Sequence, residues 1–146
     1  MSNFKFKLQK LLDIRINEEE ESKLLYSQAQ NQKKIVENKL VELENNYRKY
    51  SDINNIKDTI SQKIAMNYIS YLTTYIKDTE KELQAKEIEV EKAKKEFIDK
   101  RVKRRSLEVL KENQILEMKK EEERVEQISN DEFALYSYIR KTSNSQ

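Results

Sequence analysis

Between Phe4 and Tyr50 the apolar residues recur in alternating steps of three and four. One heptad position reads Leu8, Arg15, Ser22, Ala29, Val36, Leu43, Tyr50; the next reads Phe4, Leu11, Glu18, Leu25, Gln32, Lys39, Asn46. A flanking position adds Leu12, Tyr26, Leu40 and Tyr47. The stripe is broad and weakest from Glu18 to Ser22. This spacing predicts a helix over 4–50 that must lie against another helix. About 47 residues at 1.5 Å each make a rod of roughly 70 Å, longer than a globular core of this chain's size can cover.

The stretch 51–58, SDINNIKD, interrupts the pattern. Five of its eight residues are Ser, Asp or Asn, whose side chains compete for backbone hydrogen bonds and favour turns and N-caps. It reads as the connection, with Asp58 or Asn55 as the cap of the next helix. That second helix is predicted over 57–138, with the stripe Leu72, Ile76, Thr79, Leu83, Lys86, Val90, Ala93, Phe97 facing the first. Charge pairs four residues apart decorate its exterior: Glu82–Lys86, Glu91–Lys95, Glu96–Lys100, Asp99–Lys103. At about 0.2–0.5 kcal/mol each they support the helix without choosing the fold. Residues 139–146 read as a frayed polar tail. The fold class is therefore all-α: two long helices in an antiparallel coiled coil, the second longer, forming one hairpin over 1–138. If the chain folds straight back between residues 50 and 57, residue 3 falls opposite about residue 104.

Composition narrows the chemistry. The 146 residues include no Gly, Pro, Cys, His or Trp. Without Gly or Pro, tight turns and abrupt helix stops are scarce. Without His or Cys, most metal ligands, general bases and soft nucleophiles are missing. Charged residues make up 38% and apolar residues 36%, which suits an elongated, surface-rich body. The 29 basic and 27 acidic residues leave a net charge of +2, so there is no global pull toward nucleic acid or an anionic membrane. No run approaches the ~18 apolar residues of a membrane span. Met1 to Lys10 has lysines but no apolar core, unlike a secretory signal. No nucleophile–base pair or phosphate-binding loop can be assembled. The reading is a cytoplasmic, non-enzymatic helical protein with no cofactor and no metal.

Three kinds of cluster stand out. The run Lys100-Arg101-Val102-Lys103-Arg104-Arg105 places five cations in six residues; on a helix they spread around the circumference, as a solvated face or a protein-docking surface. No aromatic platform is interleaved, which argues against nucleic acid. The acidic runs Glu18–Glu21 and Glu121–Glu123 read as solvated faces, lacking the glycine turn of a calcium loop. The stretch Asn67-Tyr68-Ile69-Ser70-Tyr71-Leu72-Thr73-Thr74-Tyr75-Ile76 is tyrosine-rich. Tyr71 and Tyr75 share one face and Leu72 and Ile76 the adjacent one. The stretch is either a wide core face near the turn or an exposed aromatic patch for a partner. Tyr47 and Tyr50 lie near the same end.

Several of these segments resemble, in order and over nearly the whole chain, the flagellar export protein FliJ family. Phe6-Lys7-Leu8-Gln9-Lys10-Leu11-Leu12-Asp13-Ile14-Arg15 is similar to that family's FxLxxLLxxR start, and Asn67 to Leu83 to its tyrosine-rich region. Lys100 to Leu110 resembles its basic stretch, and Glu126 to Ala134 its ending. The resemblance implies a two-helix antiparallel coiled coil similar to the central stalk of rotary ATP synthases. It implies insertion of the end bearing the termini into the hexameric flagellar export ATPase, promotion of ring assembly, contact with the cytoplasmic domain of the export gate, and escort of export chaperones. Matched residue by residue, it assigns the ATPase contact to Leu8, Leu11, Leu12, Arg15, Arg101, Arg104 and Arg105. It assigns the gate contact to Leu43, Asn46, Tyr50, Tyr71 and Tyr75, with Asn46 standing where an aromatic is common. The implied location is peripheral, at the cytoplasmic face of the membrane near the flagellar base, without a span. Two other readings have the same outline: the related stalk protein of a virulence-type secretion system, and a prefoldin-like holdase, which needs β-hairpins between its helices.

Overall fold

The computed structural model describes residues 3–52 and 57–144. Among them are two α-helices and no strand: α1 over Gln9–Tyr50 and α2 over Thr59–Asn144. The all-α class and the longer second helix follow the predicted pattern. The ends differ. Helix α1 starts at Gln9 and not at residue 4. Helix α2 continues past Tyr138 to Asn144, through most of the segment read as a polar tail. No glycine or proline in that stretch stops it, and the Thr142 hydroxyl donates to the Tyr138 carbonyl at 2.8 Å. Ile53, Asn54, Asn55 and Ile56 lie outside the described residues, and with them one of the two cap candidates.

The other candidate, Asp58, is the cap. Its side-chain Oδ1 accepts from the Ile60 N–H at 3.3 Å and its Oδ2 from the Ser61 hydroxyl at 3.1 Å. Its carbonyl accepts the first helical bond, from the Gln62 N–H at 2.9 Å. An aspartate here satisfies an otherwise orphaned donor and places negative charge at the positive helix end. Helix α1 ends without a left-handed cap: no described residue has positive φ. Instead the Ser51 hydroxyl donates to the Arg48 carbonyl at 3.0 Å, and Arg48 and Lys49 lie in the last turn, where cations favour the negative helix end.

The chain divides into two units, Ile16–Arg101 and Met1–Arg15 with Val102–Gln146. In the first unit the helices run antiparallel. Tyr50 meets Tyr68, Lys39 pairs with Glu82, Lys86 donates to Gln32, and Lys100 pairs with Glu18. Partner numbers rise along α2 as they fall along α1. The straight fold-back is thereby corrected: Tyr50 sits beside Tyr68, eleven residues beyond Lys57. The first turns of α2, from Thr59 to Asn67, come before the level of the Tyr50–Tyr68 contact, and the straight fold-back allowed them no length.

The core of this unit is a single seam. Ser22 and Val36 of α1 and Ala65, Leu72 and Thr79 of α2 are buried. Ile76, Leu83, Lys86, Val90, Ala93 and Phe97 are half-buried between them, so all eight residues of the predicted α2 stripe face inward. On α1 the inward ribbon is Ser22, Tyr26, Ala29, Lys33, Val36, Leu40 and Leu43. Leu25, from the second predicted heptad position, is 51% exposed. The flanking position holding Leu12, Tyr26 and Leu40 takes its place, because it carries more apolar surface than the one holding Glu18, Gln32 and Lys39. The two buried hydroxyls are satisfied along their own helices: Ser22 donates to the Glu19 carbonyl at 2.9 Å and Thr79 to the Tyr75 carbonyl at 2.8 Å. No buried side-chain polar atom is left unpaired among the described residues, as a low-dielectric seam requires.

In the second unit Phe6 and Leu12 are buried, and Leu107 and Lys111 of α2 are half-buried. Lys111 Nζ donates to Gln9 Oε1 at 2.7 Å and ties the start of α1 to α2. From Glu121 to Asn144 every side chain of α2 is exposed.

Candidate partner-contact surfaces

The aromatic end of the Ile16–Arg101 unit is ordered as a file. Tyr50 packs edge-on to Tyr68, with ring centroids 5.1 Å apart and planes at 85°. Tyr68 stacks beside Tyr71 at 6.5 Å, and Tyr71 beside Tyr75 at 5.7 Å. Lys39 of α1 closes the file, its ammonium 4.8 Å from the centre of the Tyr75 ring. That spacing is a cation–π contact, worth about 0.5–1 kcal/mol at an exposed site. Lys39 is also 3.8 Å from a Glu82 carboxylate oxygen. The Tyr75 side chain, and then Glu82, hold the lysine above its ordinary pKa against a smaller opposing desolvation.

The file follows from helix periodicity. Tyr68, Tyr71 and Tyr75 lie at steps of three and four on one face of α2. Leu72, one position over, is buried in the seam, with 1% of its surface exposed, whereas Tyr71 keeps 60%. Tyr71 is therefore not needed to fill the core, whereas Tyr75 is half-buried beside the seam. Of the five residues assigned to the gate contact, Tyr50, Tyr71 and Tyr75 belong to this file. Leu43 and Asn46 are half-buried on α1. Sequence reasoning left Tyr68 and Lys39 out of the site. The step of three from Tyr68 to Tyr71 was a usable signal for the first; nothing in the α1 pattern marked Lys39.

In the other unit the residues assigned to the ATPase contact separate by burial. Leu8 and Leu11 are exposed at 39% and 36%, whereas Leu12 keeps 3% and belongs to the core. Arg15 is half-buried. The Gln9–Lys111 bond sets Leu8 and Leu11 across from residues near 109–112, and Arg15 level with Arg104 and Arg105. The arginines are engaged along their own helix. Arg104 donates to Glu108 at 2.7 Å, and Arg105 donates to Glu108 and Glu112, each at 3.2 Å. Desolvation alone pushes the Glu108 carboxyl up; the bonds from Arg105 and Arg104 outweigh it and hold the group below its usual range. Glu108 and then Glu112 push the Arg105 guanidinium further up. Arg101 lies in the Ile16–Arg101 unit and is exposed.

The flagellar FliJ protein family model matches residues 4–143. The chain belongs to the FliJ family. No curated protein and no solved structure matches it. As a FliJ-family member it is a coiled-coil protein associated with flagellar export. The match covers α1, all but the last residue of α2, and each of the clusters above. Among the described residues no helix is long and apolar enough to cross a membrane, and no group of three or more acidic residues is arranged to hold a metal ion.

Proposed function

We propose that this FliJ-family chain is the stalk component of flagellar export: its terminal end enters the hexameric export ATPase, and the tyrosine end contacts the cytoplasmic domain of the export gate. The observation that carries the reading is the family match across residues 4–143. The aromatic file supports the second contact. Tyr50, Tyr68 and Tyr71 are exposed, and ring-on-ring packing holds them in place; such tyrosines present a large contact area at low conformational cost, the kind of surface enriched at interface hot spots.

In this reading Leu8, Leu11 and Arg15, with Arg104 and Arg105, form the ATPase-facing set of their unit, and Leu12 holds the backbone beneath them; Arg101, in the Ile16–Arg101 unit, is a separate ATPase contact. A helix pair carries different side chains around its circumference. It therefore contacts the subunits of a symmetric ring unequally and biases the conformation each adopts. The gate-facing set is Leu43, Asn46, Tyr50, Tyr71 and Tyr75, extended by Tyr68. Export chaperones are further partners. The chain acts at the cytoplasmic face of the membrane near the flagellar base, supporting motility without catalysing a reaction itself.

The test is a pull-down with the export ATPase and the gate's cytoplasmic domain, followed by ATPase turnover with and without the chain. Turnover should rise on addition of the chain. Tyr71→Ala with Tyr75→Ala should lower gate capture while leaving ATPase stimulation and helical content intact. No capture of either partner by the unmodified chain would overturn the proposal.

A further inference from the structure

At the start of α1, in the unit formed by Met1–Arg15 and Val102–Gln146, a recess of about 490 Å³ opens between Phe4, Lys5, Phe6, Lys7, Gln9, Lys10 and Lys111. Four of these seven residues are lysines and none is acidic. Among the described residues Lys5, Lys7 and Lys10 form no ion pair, and Lys111 bonds only the neutral Gln9 amide oxygen. The arginines further along α2 differ: Arg104, Arg105 and Arg124 each pair with a carboxylate of their own helix. From Asn3 to Lys10 the sequence carries Lys5, Lys7 and Lys10 and not one carboxylate. The recess therefore gathers four lysines with no carboxylate among its lining residues.

We infer that this recess is a docking site for an acidic peptide segment of a partner protein. Adjacent Asp and Glu side chains pair with Lys5, Lys7, Lys10 and Lys111, and an apolar residue between them seats on Phe4. The positive end of α1 opens onto the same recess and adds to its field. The occupant follows from charge and shape. Nucleic acid is disfavoured because Phe6 is buried and Phe4 half-buried, which leaves no free aromatic platform for bases. A lipid surface is disfavoured because the lysines surround a concavity, whereas a bilayer presents a flat array of headgroups. The inference does not depend on the stalk reading, since it commits to the partner's chemistry and not to its identity.

The test uses the full chain and a short fluorescein-labelled peptide of Asp and Glu with one central Phe, read by fluorescence anisotropy. Saturable, salt-sensitive binding is expected. Lys7→Glu with Lys10→Glu should weaken it about tenfold, as expected for loss of complementary charge at an interface. The same charge change at Lys92 and Lys95, outside the recess, should leave it within about twofold. Phe4→Ala should weaken it with the charge unchanged. If the double Glu variant loses helical circular dichroism, Lys7→Gln with Lys10→Gln serves instead and should show the same direction. Equal binding by recess and control variants overturns the inference. So does equal binding of a peptide with Asn and Gln replacing Asp and Glu, or binding to phosphatidylglycerol vesicles without binding to the peptide.

Discussion

Tyr50 at the end of α1 packs edge-to-face on Tyr68 of α2, with centroids 5.1 Å apart and ring planes at 85°. This one contact states the register of the Ile16–Arg101 unit, and it begins the row of tyrosines that the gate-contact proposal uses. Edge-to-face pairs are worth about 0.5–1.5 kcal/mol beyond the area they bury. Tyr50→Ala is expected to destabilise the chain by about that amount and to release the Tyr68 ring. Thermal melting, with the Tyr68 ring resonances in NMR, checks it.

Leu72 is the most deeply buried apolar side chain in the seam. A two-helix core has few neighbours able to collapse into a gap. Leu72→Ala should cost about 2–4 kcal/mol, within the range for buried leucine truncations. Denaturant unfolding followed by circular dichroism at the helix band measures it. A loss no larger than that of Tyr71→Ala would contradict the seam assignment.

Thr79 is as buried as Leu72, yet its hydroxyl bonds only to the Tyr75 carbonyl of its own helix. That carbonyl already accepts a helical N–H. Thr79→Val removes the buried hydroxyl without orphaning a partner, so stability should be unchanged or rise by up to about 1 kcal/mol. Thr79→Asp should melt the seam, because it buries an unpaired charge.

The Glu108 carboxyl lies below its ordinary value of 4.5 in the folded chain, through Arg105 and Arg104. The unfolded chain therefore takes up that proton first as the pH falls. The stabilisation from this group is fully present above 4.5 and is lost as the pH drops through the folded value. Between about pH 7 and pH 5 no change is expected; at lower pH the amides around 104–112 should lose protection relative to their intrinsic exchange rate at the same pH. Arg104→Gln with Arg105→Gln should move the Glu108 titration up toward the ordinary value, followed by NMR of its carboxyl carbon.

Because Arg104 and Arg105 are paired along α2, reversing their charge alone changes local pairing and surface charge together. Adding Glu108→Arg and Glu112→Arg to the Arg104→Glu, Arg105→Glu variant restores the pairs with inverted sense. If the arginines touch the ATPase, stimulation of turnover should fall in both variants. If they only support the helix, the fourfold variant should recover it.

The α2 stripe from Leu72 to Phe97 was legible because every inward residue recurs at one unbroken heptad spacing. Asp58 was legible as a cap from its type and place. The α1 ribbon was harder. Two ribbons one residue apart, one through Leu11 and Leu25 and the other through Leu12 and Tyr26, both read as amphipathic. One residue is about 100° of helix rotation, and only the facing surface of α2 chooses between them. The file from Tyr50 to Lys39 was half legible: Tyr71 and Tyr75 share a face by periodicity alone, but Lys39 joins it only through the register.

By itself, the order of residues determined two helices, the longer second one and the polar break between them, because these depend on contacts three and four positions apart and on the absence of glycine and proline. The tertiary structure alone decided the stagger that brings Tyr50 to Tyr68, the face of α1 that is buried, and the gathering of Lys5, Lys7, Lys10 and Lys111 around one recess. Those depend on which side chains meet across the helix pair, and sliding or rotating one helix changes them without altering the local pattern of either.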